Sequence, residues 1–256
     1  MSDPDAELPP YRGVLVVDAE RFGRNTDVNQ EHLTFMIPQV VENAFGRAGL
    51  ADVWDRRLME HENGDGIGVA FDTHHLPAVV DRVFAALQEI LAEQDVRLRA
   101  RDRGLRLRLR AVLHVGPLLR SGGRTLVNAY RLLDTDVLRG ALARSDRDLT
   151  FLAVLLSERV YADVVAEGYA KVDARPVDTH NKELDTRAYL HVPVLSGELL
   201  DNGLAGGAPA AEAPAGQVPV DAGERYRPVH NEISGGTHHG TTIQVGHVHG
   251  GLNQGR

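Results

Sequence analysis

The chain has 256 residues, a net charge of −8 and no cysteine. This length is enough for one good-sized core or two small ones. The lack of cysteine excludes disulfides and thiolate-bound metal, and the acidic balance argues against nucleic acid as a partner. The first residues are acidic and polar, and no stretch reaches the roughly 20 apolar residues of a membrane span. We therefore expect a cytoplasmic protein with no membrane contact.

The chain up to about residue 195 alternates strand and helix patterns. Apolar runs and period-two alternation predict strands, whereas spacings of three and four predict helices. In chain order we predict a strand at 13–18, a helix at 28–50, strands at 53–62 and 67–71, a helix at 76–91, a strand at 105–115, a helix at 127–144, a strand at 149–156, a helix at 157–167, and strands at 169–177 and 186–192.

This order predicts an α+β fold. Strand, helix, two strands, helix and strand form a ferredoxin-like split βαβ unit, with a mostly antiparallel central sheet and helices on one face. The composition then shifts to alanine, glycine and proline, which cannot bury enough apolar surface to order a segment. We predict a domain at 11–195, a flexible linker at 196–226 and a Gly/His-rich tail motif at 227–256.

Two aspartates are candidates for chemistry. Asp18 ends the first strand, and Asp65 lies in the turn of HENGDGIGVAF at 61–71. Asn-Gly and Asp-Gly are strong hairpin signals, so Asp65 has a purely conformational reading as a turn residue. In the predicted topology, however, the first strand and this hairpin are neighbours. Two converging carboxylates together with phosphate oxygens suit Mg²⁺.

A stripe of arginines follows in LRLRLRAVLHV. Arg106, Arg108 and Arg110 alternate with leucines, which places them on one face of a strand. This face could bind phosphates. The negative net charge favours the simpler interpretation of a solvated face beside acidic neighbours.

Four segments in order resemble the class III adenylate/guanylate cyclase homology domain, over about residues 11–193. They are VLVVDAERFG at 14–23, NGDGIGVAF at 63–71, LRLRAVLHVG at 107–116 and GRTLVNAYRLL at 123–133. The pattern is most similar to a divergent actinobacterial branch of that family.

The resemblance implies a cyclase-type fold, a nucleoside triphosphate ligand, a two-ion Mg²⁺ or Mn²⁺ site and a homodimer in which the two halves of the site come from different subunits. It assigns metal binding to Asp18 and Asp65. By position it also implies triphosphate contacts at Arg21, Phe22 and Gly23, base reading at His61 and Arg124, and catalytic roles for Arg131, Lys182 and Asn128.

The match departs from the family in the half of the site that reads the base. The family's transition-state asparagine falls on Val127, with Asn128 one residue late, and the base-reading positions hold His61 and Arg124. A domain that makes a cyclic nucleotide and an inactive nucleotide-binding or scaffolding module both remain open.

The tail forms a separate motif. Its run from 242 to 248 is β-prone, contains no proline and is flanked by glycines, which is typical of segments that stack with copies of themselves. The core resembles the RIP homotypic interaction motif and bacterial amyloid signalling motifs, which recruit a partner carrying a matching copy. The residues of the predicted homotypic motif are Asn231, Gly240, Ile243, Gln244, Val245, Gly246 and Gly250.

Two alternatives compete for the tail. Chain ends are often disordered, and His-rich tracts sometimes bind metal. The histidines concerned are His238, His239, His247 and His249. The Ile-Gln-Val-Gly core favours the signalling motif, because metal binding does not explain it.

Overall fold

The computed structural model describes residues 7–119, 122–181 and 184–204. Lys182 and the whole predicted tail motif lie outside these residues. The predicted domain boundaries therefore stay predictions.

One sheet of seven strands forms the centre of the described chain, in the order β2-β3-β1-β4-β5-β7-β6. Every pair of neighbouring strands is antiparallel except β4 and β5, which are parallel. The bounds are β1 Tyr11–Ala19, β2 Met59–Glu62, β3 Gly66–Asp72, β4 Leu109–Pro117, β5 Leu152–Ser157, β6 Arg175–Asn181 and β7 Leu184–His191. The run of valine and leucine in β1 fits its place between two strands in a sheet covered on both faces.

Helices connect and cover these strands. They are α1 Asp27–Arg47, α2 Ala51–Asp55, α3 Leu76–Ala78, α4 Phe84–Arg101, α5 Arg124–Leu133, α6 Asp136–Arg144, α7 Glu158–Val160 and α8 Glu198–Asn202. A π-helical segment, Val79–Val83, joins α3 to α4, and a second, Tyr161–Ala166, continues α7. Thr26 caps α1 by accepting a hydrogen bond from the backbone N–H of Asn29.

The α+β class and the mostly antiparallel sheet are confirmed, but the prediction of helices on one face is wrong. Alternate residues of the strands point to opposite faces of the sheet and belong to two separate hydrophobic cores. Leu15 and Val17 of β1 pack in a core with α1 and α4. Val14 and Val16 pack in a second core with α5, α6 and α8. The amphipathic α5 and α6 bury the second face.

Other element predictions also differ, among them the strand predicted at 169–177, which lies at Arg175–Asn181. Residues 53–55 belong to a short helix, because Val53 and Trp54 are buried side by side against the core rather than alternating. The helix predicted at 127–144 is two helices, separated at Asp134 and Thr135. Thr135 ends the first by donating its hydroxyl to the carbonyl of Leu132. Among the described residues, no helix is long and apolar enough to cross a membrane.

Candidate functional site

The register of the sheet places the chemically interesting side chains on the face covered by α5. Asp18 lies opposite Gly66 of β3 and opposite Arg110 of β4. Because residues directly opposite in a sheet share a face, Asp18 and Arg110 project to the same side.

Asp18 forms a bidentate ion pair with Arg110. Arg110 Nε donates to Oδ1 at 2.9 Å, and Nη2 donates to Oδ2 at 2.5 Å. The two side chains are only 14% and 13% exposed. Burial raises the pKa of Asp18 to about 6, with Arg110 acting in the opposite direction. At neutral pH Asp18 is therefore mostly ionised and held by its arginine.

The turn that carries Asp65 is fastened from both sides. The backbone N–H of Ala19 donates to the carbonyl of Asp65 at 2.8 Å. From the other side, the hydroxyl of Thr34 on α1 donates to the carbonyl of Gly64 at 2.7 Å. Gly64 takes a φ of +84°, as its position in the turn requires. Asp65 is thus held beside the end of β1 by backbone contacts that leave its carboxylate for other partners.

A cavity of about 640 Å³ brings Asp18 and Asp65 together with α5. Its remaining walls are formed by His61, Asn63, Leu126, Val127, Tyr130, Arg131, Leu133 and Asp134. Val127 and Arg131 are four residues apart and so share one side of the helix. The structure thereby brings four predicted site residues into one cavity, namely Asp18, Asp65, His61 and Arg131.

Two other predicted residues lie apart. Among the described residues, the wall of this cavity includes neither Asn128 nor Arg124. Asn128 is turned away because it follows Val127 by one residue, which rotates it about 100° around the helix. Val127, 46% exposed, stands on the cavity side instead.

Tyr130 is a site residue that the sequence did not reveal. Its hydroxyl lies 3.1 Å from Nδ1 of His61, and the two rings meet edge to face. A Cβ at Gly68 would lie 3.0 Å from the same hydroxyl, so Gly68 provides the room for the tyrosine. Burial, together with the charges of Asp65 and Asp18, raises the pKa of Tyr130. In the sequence, the only indication was Gly68, two residues after Gly66 and so on the same face of the strand. That this glycine faces Tyr130 is visible only once α5 is packed on the sheet.

The segment predicted to face the triphosphate forms a tight turn after β1. Arg21 adopts the left-handed region with φ +57°, and a short 3₁₀ turn, Phe22–Arg24, follows. Such strain in a non-glycine residue is held only where the surroundings impose it. Phe22 lines a second cavity, of about 530 Å³, which also contains Asp65, Asp27 and Glu31. The turn therefore lies next to Asp65, but its cavity carries negative charge.

The chemistry of the donors fits a hard divalent cation. Asp18, on β1, and Asp65, in the turn before β3, both line one cavity and both carry carboxylate oxygens. Mg²⁺ is typically held by one or two carboxylates plus phosphate oxygens, rather than by an all-protein cage. The part of the chain that the structure describes holds no cluster of three or more potential metal-ligating side chains.

The sequence favoured a solvated face for the arginine stripe. The structure contradicts that interpretation. Arg108 is 2% exposed and donates to the carbonyls of Thr150 and Leu142 and to the carboxylate of Glu20. The predicted acidic neighbours are present, since Arg106 pairs with Asp148 at 2.6 Å. Arg106 and Arg108 are therefore engaged within the chain, which leaves little of them for an external phosphate, whereas Arg110 is held by Asp18 at the cavity.

Comparison with solved structures identifies the fold. A bacterial light-regulated adenylyl cyclase matches with a TM-score of 0.50 and 14% identity, over 74% of this chain and 54% of that chain. An adenylate/guanylate cyclase/hydrolase from Silicibacter pomeroyi matches with a TM-score of 0.48 and 17% identity, over 73% of this chain and 99% of that chain. An adenylate cyclase from Trypanosoma brucei, in its monomeric state, matches at 0.46 and 13%, over 71% and 88%.

The described chain therefore has the fold of nucleotide cyclases. At these identities the likeness extends to the fold alone, because one fold can carry different functions. No protein-family model matches the chain, and no curated protein sequence matches it either.

Proposed function

We propose that the domain at 11–195 is a cytoplasmic signalling module that binds a nucleoside triphosphate together with Mg²⁺ or Mn²⁺. The observation that carries the proposal is that Asp18, on β1, and Asp65, in the turn before β3, both line one cavity. When bound, a pair of such ions would hold phosphate oxygens and offset their charge. The apolar wall of Leu126, Val127 and Leu133 is of a kind that suits a nucleobase.

The geometry favours binding over cyclisation. The family resemblance requires an asparagine at the position of Val127, and a valine can neither donate nor accept a hydrogen bond. Asn128 does not line the cavity wall among the described residues. Arg131 lines the cavity and is the residue expected to meet triphosphate charge. The proposed contacts of Arg124 to the base and of Lys182 to the phosphates rest on the sequence resemblance alone.

Calorimetry with each of the four ribonucleoside triphosphates tests the binding proposal. We expect binding that requires Mn²⁺ or Mg²⁺ and that weakens at least tenfold in Asp65→Asn. The matched control is Asp72→Asn, at the other end of β3 and paired with Arg12. Equal binding by wild type and Asp65→Asn would contradict a role for this carboxylate.

A second candidate function is cyclic nucleotide formation. Arg131 supports it, because this arginine, to which the resemblance assigns a catalytic role, lines the cavity that contains both aspartates. Incubation with each triphosphate and Mn²⁺, followed by chromatography of the products, tests it. If none of the four triphosphates gives a cyclic product, cyclase activity is excluded and the nucleotide-binding or scaffolding module is the remaining interpretation.

For the tail we propose recruitment of a partner protein by homotypic β-stacking. The support is the Ile243-Gln244-Val245-Gly246 core in an uncharged, proline-free run. The full chain is expected to form thioflavin-positive assemblies, and Val245→Asp should abolish them while Gln254→Asp outside the core should not. Assemblies that persist in Val245→Asp would exclude the motif as their cause.

A further inference from the structure

The ion pair between Asp18 and Arg110 has a consequence for metal binding. The guanidinium engages both oxygens of the carboxylate, at 2.9 and 2.5 Å. These are the oxygens that the proposed metal site needs from β1. Asp18 is therefore already occupied by a cation that belongs to the chain.

The pair is fixed by the backbone. Asp18 and Arg110 are directly opposite in the β1–β4 register, and both are largely buried. The next residues in the same ladder continue the pattern, since the backbone N–H of Glu20 donates to the carbonyl of Arg108 and their side chains pair at 3.0 Å. Arg110 therefore cannot leave Asp18 through a strand shift, and only a change of its own side chain can release it.

A bare divalent cation meets two costs at this site. It must displace a bidentate, charge-assisted hydrogen bond, which is among the stronger kinds in proteins. It must also lie close to a guanidinium that remains charged at any physiological pH. Repulsion between like charges is strong where burial excludes water.

A cation that arrives with a polyphosphate changes this balance. The phosphate oxygens bring negative charge that compensates both the metal and the guanidinium, and they can accept hydrogen bonds from Arg110 in place of Asp18. From this we infer that Arg110 is an internal counterion that keeps a bare divalent cation off Asp18, so that the site takes the cation only together with a phosphate-bearing ligand. The inference rests on the proposed metal–triphosphate function and adds a selectivity to it.

Arg12 offers a matched control. It pairs with Asp72 across β1 and β3, on the same sheet face but at the opposite end of β1. Removing its charge alters the net charge as much as removing that of Arg110, but at a distance from the cavity.

Binding of Mn²⁺ alone is measured by electron paramagnetic resonance of the free ion, and binding of the preformed Mn²⁺–pyrophosphate complex by calorimetry. In wild type we expect the complex to bind at least tenfold more tightly than the bare ion. Arg110→Gln should bind bare Mn²⁺ at least tenfold more tightly than wild type, whereas Arg12→Gln should match wild type. Arg110→Lys keeps the charge but not the bidentate contact, so its affinity for bare Mn²⁺ should lie between those of wild type and Arg110→Gln. The lysine variant replaces the glutamine variant in the test if the latter does not fold.

The possible failures are distinct. Equal bare-ion affinity in wild type and the Arg110 variants would overturn the inference and leave the proposed function standing. Lack of any Mn²⁺ binding in wild type and variants, with or without pyrophosphate, would overturn both.

Discussion

Gly66 is the residue on which the position of Asp65 depends most directly. A Cβ there would lie 2.1 Å from the carbonyl oxygen of Val17, so no side chain can be accommodated without moving β1 or β3. Gly64, two residues earlier, has a left-handed φ of +84° but open space around it. The two glycines are thus required for different physical reasons, close approach in one case and backbone conformation in the other.

Gly66→Ala should destabilise the domain by about 3 kcal/mol, since the overlap is with backbone that cannot move aside. Gly64→Ala should cost only about 1 kcal/mol, the strain of a left-handed non-glycine residue. Urea unfolding followed by circular dichroism measures both. Equal losses for the two variants would mean that the strands separate to admit the methyl group.

His114 predicts a pH dependence of stability. Burial lowers its pKa to about 4, and its Nδ1 is buried without a hydrogen-bond partner among the described residues. Between pH 6.5 and 4, His114 is protonated in the unfolded chain but stays neutral in the folded chain. Its contribution to the free energy of unfolding therefore decreases as the pH falls through that window. The loss amounts to about 3 kcal/mol and is absent above pH 6.5.

The prediction for His114 is checked by comparing unfolding curves of wild type and His114→Leu at several pH values. The difference between the two should change across pH 6.5 to 4, which separates His114 from Asp18, whose pKa lies in the same window. A difference that is independent of pH would contradict the burial of an uncharged imidazole.

At the scale of elements, Arg108, directly before β4, ties the sheet to α6. Arg108 joins Glu20 after β1 to the carbonyl of Leu142 on α6 and to Thr150 before β5. Its hydroxyl partner, Ser145, lies at 2.5 Å. A single buried guanidinium thus connects segments that are far apart in the sequence.

Arg108→Met is expected to lower the free energy of unfolding by about 3 kcal/mol, because it removes the buried guanidinium that donates to Glu20 and to the carbonyl of Thr150. The control is Arg106→Met, whose side chain is 25% exposed and pairs with the exposed Asp148. That change should cost less than about 1 kcal/mol. Thermal unfolding of both variants measures the two losses of stability. Similar losses would show that the burial of Arg108 does not make it more important for stability than Arg106.

At the scale of the whole molecule, the question is whether one chain or two complete the site. In one chain Arg131 lines the same cavity as Asp18 and Asp65. The family resemblance instead implies that the two sets of residues act across a homodimer. We propose the dimer, in which each two-fold related site takes its aspartates from one subunit and its arginine from the other.

Mixing two inactive variants tests the shared site. Asp65→Asn and Arg131→Ala should each bind triphosphate poorly, and their mixture, after subunit exchange, should recover about a quarter of the wild-type binding capacity. Calorimetric stoichiometry measures the recovery. No recovery, with heterodimers verified by mass, would place both residues of a site in one subunit.

The sequence by itself determined the fold class and most of the strands and helices, because period and turn chemistry are local, and it pointed to Asp18 and Asp65 as candidates for metal binding. It did not determine the short helix at Val53 and Trp54, since a brief apolar run is compatible with a strand or a helix. The tertiary structure alone decided that α5 and α6 cover the second face, that Tyr130 meets His61, and that Arg110 holds Asp18. Each of these depends on strand register and helix packing between residues distant in the chain, which no local pattern encodes.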